Sequence, residues 1–313
     1  YGRFLHERAV WDAAIDSKKK VYLYETLRNR YILRDFGFHN RIENQRQMKI
    51  LWQNSKIERN LKEKIGSKYF YELEGKGNPF HTNDPIPKDL LRKKYLIFFT
   101  NTDYESIGFW DSWEKPFVSQ MEAVKIISDH LRVIPNLILV VRLHPNLKLQ
   151  PVHQKKRWDF VKSLDNVFVI DEFSNVSSID LIKDSMAVIS FGSTVGLQAA
   201  FYGIPSIVLS DCWYDQLGVA IKISDIKNLN KFLQTLPRVD FNFKAAKKGA
   251  LIRGFWFSKS GVSFKFSTLI EKDWGAWDAE SFSRTSLIPN KYSLNSHRFI
   301  NSFKRLTRGL RVK

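Results

Sequence analysis

The sequence predicts an α/β protein built on a doubly wound parallel sheet, and three observations carry that prediction. From residue 95 onward, short apolar runs of strand type alternate with stretches of helical periodicity. The uninterrupted run 184–210, DSMAVISFGSTVGLQAAFYGIPSIVLS, reads as strand, glycine turn, helix and second strand. Two of these strands run into polar turns, Arg142-Leu143-His144-Pro145 and Gly192-Ser193-Thr194. Both turns would therefore stand at the carboxyl edge of one sheet, where open α/β sheets bind ligands.

Taken in order, residues 1–17 read as a loop and an amphipathic helix, with Phe4, Leu5, Val10, Trp11 and Ile15 on a shared apolar face. A short strand follows at 21–24, ending in Glu25, then a mostly polar helix at 41–61 and a strand at 68–73. Residues 75–87, GKGNPFHTNDPIP, are dense in turn formers and read as an interdomain linker. Residues 95–100, YLIFFT, form a buried strand that leads into Asn101-Thr102-Asp103-Tyr104-Glu105. A helix at 116–131 carries Phe117, Met121, Val124, Ile127 and Leu131 at helical spacing. Strands at 137–141, 167–170, 187–190 and 206–209 alternate with helical segments at 157–164, 179–182 and 195–202, and a short helix at 226–236 closes the unit. The loop 211–218, DCWYDQLG, should lie beside the same cleft; its residues read either as ligand contacts or as solvated loop.

After residue 239 the pattern becomes an aromatic and basic tail. Within it, 298–310 places Phe299, Phe303, Leu306 and Leu310 at helical spacing among Arg298, Lys304, Arg305 and Arg308. Two readings stand side by side for this helix: it lies on an anionic bilayer, or it packs back on the N-terminal region. The expected organisation is thus 1–93, 94–238 and 239–313.

Composition narrows the function classes. The 313 residues, 43% of them hydrophobic, suffice for two domains with real cores. A single cysteine, Cys212, excludes an internal disulfide and a cysteine metal cluster. No run approaches the ~20 apolar residues of a membrane helix, and YGRFLHERAV places charges where a signal peptide needs an apolar core. Lacking an initiating Met, the chain is expected to start inside a longer protein.

The net charge of +18 is unevenly distributed. Lys and Arg outnumber Asp and Glu by 20 to 12 in 1–93 and by 15 to 5 in 239–313, but balance at 15 and 15 in 94–238. A nucleic-acid binder concentrates cations on its recognition module, so charge at the two ends argues for an anionic acceptor or membrane surface and against nucleic acid.

A helix that opens on Gly-Ser-Thr offers unpaired N–H groups, two hydroxyls and a positive dipole end, which suit a phosphate. The same residues also read as a plain Ser/Thr cap. The strand-end His144 some fifty residues earlier shifts the balance toward an anion site.

Arg142-x-His144-Pro145, followed by Gly192-Ser193-Thr194-x-Gly196 and by Gly203-x-Pro205, resembles the bacterial capsule and surface-polysaccharide glycosyltransferases of GT-B type, which include Kdo transferases. More distantly it resembles bacterial sialyltransferases and polyol-phosphate polymerases. The resemblance covers about 1–236, loosely before residue 95.

It implies a GT-B-like fold with a nucleotide-binding C-terminal domain and only the later part of an N-terminal Rossmann-like domain. It also implies a nucleotide-sugar donor, CMP-activated or other, a glycan or glycolipid acceptor, and a cytoplasmic place on or near the inner membrane. Donor contacts carry onto Arg142, His144, Pro145, Gly192, Ser193 and Thr194. Gln198 stands where an acidic residue would hold the ribose hydroxyls.

Near the N-terminus the family has an Asn-Gly-Arg turn and a Glu-rich helix start. Gly2, Arg3, Glu7 and Arg8 match it loosely, with Tyr1 in place of Asn. The catalytic base is sought among Glu7, Glu25, Asp103 and Glu105. Sequence spacing shows no His/Asp/Glu metal cluster, so no metal and no cofactor are expected. A non-catalytic nucleotide-binding subunit of a polysaccharide assembly complex is the alternative function.

Overall fold

The computed structural model describes residues 5–27, 30–34, 40–74, 84–102, 113–114, 116–263, 267–271 and 274–277. They form two compact units, one from Tyr1–Leu23 with Arg34–Ser260 and one from Tyr24–Leu33 with Gly261–Lys313. In chain order the elements are α1 (Leu5–Asp16), β1 (Leu23–Leu27), β2 (Arg30–Arg34), α2 (Arg41–Asn54), α3 (Arg59–Glu74), β3 (Lys94–Phe99), α4 (Gln120–Leu131), β4 (Leu137–Arg142), α5 (Val152–Lys156), β5 (Val167–Ile170), α6 (Ser178–Asp184), β6 (Ala187–Ser190), α7 (Val195–Tyr202), β7 (Ser206–Val208), β8 (Ile221–Lys222), α8 (Ile226–Gln234), α9 (Phe243–Lys259), β9 (Val262–Ser263), β10 (Ser267–Glu271) and β11 (Trp274–Trp277). Short 3-10 turns lie at Pro145–Leu149, Asp159–Ser163 and Asp215–Leu217.

The larger unit is organised on a six-stranded parallel sheet in the order β5-β4-β3-β6-β7-β8. Its central strands are buried on both faces, which is why they read as continuous apolar runs rather than alternating ones. Alternate β3 residues serve opposite cores. Leu96 and Phe98 join Val124, Ile127 and Leu131 of α4, whereas Tyr95, Ile97 and Phe99 join Leu181 and Ile182 of α6 and Ala199 of α7. The buried Tyr95 hydroxyl donates to the Leu181 carbonyl at 2.9 Å, so the polar tip is not stranded in the core.

Helix ends explain the boundaries. The helix expected at 116–131 starts at Gln120, because the Ser119 hydroxyl accepts the Glu122 N–H at 3.2 Å as an N-cap. The helix α7 ends at Gly203, whose φ of 78° only glycine adopts cheaply. Three expectations need correction. The polar helix of 41–61 is two helices, broken where Ser55 turns extended. Residues 68–73, expected as a strand, lie in α3, whose buried Lys62, Gly66 and Phe70 recur every fourth residue. In α1, Val10 and Ile15 are exposed rather than buried. The expected linker is described only from Asp84 onward, and the helix expected at 298–310 lies outside the described residues.

The largest departure is α9, seventeen residues long, where the tail was expected. It packs on α3 and α7, with small residues at the closest approach. A Cβ on Gly254 would lie 2.2 Å from the Gly66 carbonyl oxygen, one on Gly66 2.5 Å from that of Leu251, and one on Gly249 2.3 Å from that of Leu217. Backbone therefore meets backbone, and aromatic rings close the rim. Trp52 meets Phe255 edge-on at 5.3 Å, while Phe70 of α3 stacks on Phe201 of α7 at 4.2 Å. In the smaller unit, β2 pairs antiparallel with β9, and β10 with β11.

Substituting Gly254→Ala should destabilise the protein by roughly 1–3 kcal/mol through overpacking, although alanine is the better helix former by about 1 kcal/mol. Lys248→Ala, on the exposed side of the same helix, should leave the midpoint of chemical denaturation unchanged.

Candidate functional site

The strand order dictates where a ligand fits. From β3 the chain moves to β4 and β5 on one side, then returns to place β6, β7 and β8 on the other. The loops after β3 and β6 thus part from one another at the carboxyl edge and leave a crevice at this switch point. A cavity of about 480 Å³ opens there. Its lining includes Asn101 and Thr102 after β3, Leu147, Gln154, Arg157 and Trp158 after β4, Phe191 after β6, and Ser210 and Asp211 after β7. The start of α4 contributes Phe117, Ser119, Gln120 and Met121. Aromatic walls with a few convergent polar groups are the usual composition of a small-molecule site.

Two polar features mark its floor. The side-chain amide of Gln120 clasps the Asn101 backbone: Asn101 N–H donates to Gln120 Oε1 at 2.7 Å, and Gln120 Nε2 to the Asn101 carbonyl at 3.1 Å. Asn101 also donates through Nδ2 to the Phe191 carbonyl at 2.9 Å, tying the β3 loop to the β6 loop. Beside it, Thr102 is only 4% exposed and its Oγ1 has no hydrogen-bond partner among the described residues. A buried hydroxyl without a partner costs about 1–3 kcal/mol, and this residue belongs to the cavity lining.

The β6–α7 turn is shaped by its neighbours. Gly192 has φ +86°, and a Cβ there would stand 2.6 Å from that of Cys212. At Gly196 a Cβ would meet the Tyr214 hydroxyl at 2.3 Å and Ser206 Oγ at 2.7 Å. The Tyr214 hydroxyl donates to the Ser193 carbonyl at 2.5 Å, fixing the turn from below. Burial pushes the Cys212 thiol up, so it packs as a neutral, small apolar group. Ser193 is half-buried and Thr194 exposed, with no side-chain cap at the first turn of α7.

His144 is half-buried at the end of β4. Its N–H donates to Thr100 Oγ1 at 2.8 Å, and its Nδ1 accepts the Asn146 N–H at 3.1 Å. A ring whose Nδ1 accepts carries its proton, when neutral, on Nε2, which is then a donor. Pro145 opens the following 3-10 turn. The strands that carry His144 and Ser193 flank β3, two strand spacings or roughly 10 Å apart. Both residues thus stand on the expected edge, but they do not line the cavity, which is bounded instead by their neighbours Leu147 and Phe191.

Arg142 is not at the cavity either. It is 5% exposed, and its guanidinium donates to the carbonyls of Asp171 and, at 2.7 Å, Ser174. Its place here is to hold the β5–α6 loop. Gln198 is half-buried in α7, with Oε1 buried and unpartnered among the described residues. Of the candidate bases, Asp103 and Glu105 lie outside the described residues, as does the side chain of Glu7 in α1, while Glu25 lies in β1. Among the described residues no three His, Cys, Asp or Glu side chains gather as a metal ligand set.

The part that sequence reasoning missed is a charge network built on the buried Asp211 in the cavity wall. Asp211 sits 2.9 Å from Arg41 Nε, contacts the Lys222 ammonium, and accepts the Glu114 N–H at 2.9 Å. Asp215 holds Arg41 NH1 at 2.7 Å and Gln45 Nε2 at 2.7 Å, and Gln45 Oε1 accepts the Gln216 N–H at 2.7 Å. Helix α2 is thereby bolted to the loop after β7. Through Glu114 the same carboxylate sets the cavity wall, where Trp113 meets Trp213 edge-on at 4.9 Å. The loop 211–218 is therefore not a solvated one, and its ion pairs with Arg41 span some 170 residues with no local signal.

No family model matches the chain, and no curated protein matches it either. Among solved structures, a Thermosulfurimonas dismutans KpsC, described as a beta Kdo 2,4 transferase, is similar at 12% identity and TM-score 0.47, over 78% of this chain and 75% of that one. The beta Kdo 2,7 transferase KpsC of the same organism is similar at 15% identity and TM-score 0.43, over 76% and 73%. The S. aureus MnaA bound to UDP is similar at 16% identity and TM-score 0.41, over 56% and 46%. These are likenesses; the chemistry is read from this chain's own residues.

Burial alone would raise the Asp211 pKa, but the Lys222 hydrogen bond, the Glu114 N–H and the nearby Arg41 hold it below the ordinary value of 3.8. Its stabilising effect is thus complete above that value and is lost as the pH falls through the lowered one. Asp211→Asn, which leaves the buried Arg41 with Asp215 as its carboxylate and takes the nearest one from the half-buried Lys222, should cost about 1–3 kcal/mol at pH 7. In urea denaturation the gap to the wild type should close as the pH drops below 3.8.

Proposed function

We propose that the protein is a glycosyltransferase that binds a nucleotide-activated sugar at the carboxyl edge of its parallel sheet and passes the sugar to a capsule or other surface glycan. The observation that carries this reading is the cavity at the switch point, lined in part by Thr102, whose buried hydroxyl has no partner among the described residues. Aromatic walls from Trp113, Phe117, Trp158 and Phe191 suit a planar base or a sugar face, and the polar floor supplies orientation.

In such a transfer the bond from the anomeric carbon to the donor phosphate oxygen breaks, and negative charge gathers on the departing phosphate. The start of α7, beyond the cavity lining on the same sheet edge, would meet that charge if the donor extends along the edge, with its leading N–H groups and the Ser193 and Thr194 hydroxyls, and His144 would add an Nε2 proton from across β3. The rigid turn at Gly192 matters because donors held in place before the charge develops need no reorganisation. Gln198 is the residue for the ribose hydroxyls. The acceptor hydroxyl must lose a proton to a base, for which Glu7, Asp103 and Glu105 remain the candidates. The sequence motif at Arg142–Pro145 and Gly192–Pro205 supports the same reading. A CMP-linked donor and a glycolipid acceptor near the inner membrane would fit it.

A thermal-shift series with CMP, CDP, UDP and GDP tests the proposal. One of the four should raise Tm, with affinity falling about tenfold in Thr102→Val and about ten- to a hundredfold in His144→Ala by calorimetry. The matching nucleotide sugar should be hydrolysed slowly without acceptor. Binding without any turnover would favour the non-catalytic subunit, and no binding of any nucleotide would overturn the reading.

A further inference from the structure

The connection from β4 to β5 carries exposed residues beyond those that line the cavity. Residues 145–158, PNLKLQPVHQKKRW, hold Lys148, His153, Lys155, Lys156 and Arg157 and no acidic residue. The 3-10 turn Pro145–Leu149 and the helix α5 pack together, and Lys155 Nζ donates to the Lys148 carbonyl at 2.7 Å, so the basic stretch folds on itself as one ridge. Beneath it, Leu147 and Trp158 are sunk in the same core as Val161, which holds the ridge in place. On top, Leu149 is 75% exposed and Val152 65% exposed. Lys148, His153, Lys156 and Arg157 are exposed around them.

A single exposed aliphatic residue is ordinary. Two of them three residues apart, inside a run of cations and on a rigid base, are a different pattern. A soluble polyanion would neutralise the cations and leave Leu149 and Val152 in water. The headgroup region of an anionic bilayer satisfies both, since the cations meet lipid phosphate while the short aliphatic groups enter the acyl boundary.

We propose that this ridge docks the protein on an anionic membrane surface. Gln154, Arg157 and Trp158 of the same connection line the cavity, so docking would bring the cavity close to the bilayer. The inference rests on the ridge alone and stands whether or not the cavity takes a nucleotide sugar.

The test is sedimentation of the full chain with sucrose-loaded vesicles of phosphatidylcholine, with and without phosphatidylglycerol. The wild type should pellet with the anionic vesicles. Lys148→Glu/Lys156→Glu and, separately, Leu149→Ser/Val152→Ser should each weaken partitioning at least about tenfold. Lys125→Glu/Lys231→Glu changes the net charge equally at exposed sites elsewhere, and should change partitioning by about twofold at most. Thermal melts of each variant should match the wild type, since all four ridge side chains face solvent. Unchanged pelleting of either ridge variant would overturn the proposal. Loss on charge reversal alone, with Leu149→Ser/Val152→Ser binding like the wild type, would likewise overturn it, since the cations would then attract any anion without insertion of the aliphatic pair.

Discussion

A carboxylate with almost no water around it cannot stand alone, and Asp211 meets that constraint by drawing together three distant parts of the chain. Arg41 comes from α2, Lys222 from the edge strand β8, and the Glu114 N–H from the segment that walls the cavity. Two cations and one backbone donor offset the loss of solvation, and each is fixed in place in the process. The segment from Asp211 to Tyr214 then becomes a rigid support, against which the β6–α7 turn is pressed so closely that Gly192 and Gly196 have no room for a side chain. Geometry at the sheet edge thus depends on a charge pairing that lies behind it.

The same logic of close approach recurs on the outer side of the sheet. Helices α3 and α9 meet through Gly66 and Gly254, and Gly249 lets α9 reach the loop that ends at Leu217. That loop also carries Asp215, so the helical layer and the buried ion pairs converge on one short stretch after β7. Such double anchoring has a consequence for binding, because a loop fixed from two sides costs little further ordering when a ligand arrives.

Charge and exposure divide the surface by task. The segment 94–238 balances its formal charges overall, yet the ridge at Lys148–Arg157 concentrates cations beside the cavity. Averaging over a whole domain hid that concentration. Local exposure shows it, because Leu149 and Val152 stand out of the fold while Leu147 and Trp158 go into it.

Strands 167–170 and 187–190, the helix 195–202 and the glycine turn between them were legible from the sequence alone, since buried parallel strands and short helices differ in local periodicity and their ends carry capping residues. The edge on which His144 and Ser193 stand followed from the same pattern. Helix α9 was not legible, because its buried face is made of glycine and alanine as much as of large apolar residues and so looks like an irregular tail. The partners of Asp211 were not legible either. Periodicity reports on neighbours a few residues apart, whereas an ion pair between residues 41 and 211, or a Thr102 hydroxyl left without a partner among the described residues, exists only once the whole chain has closed around it.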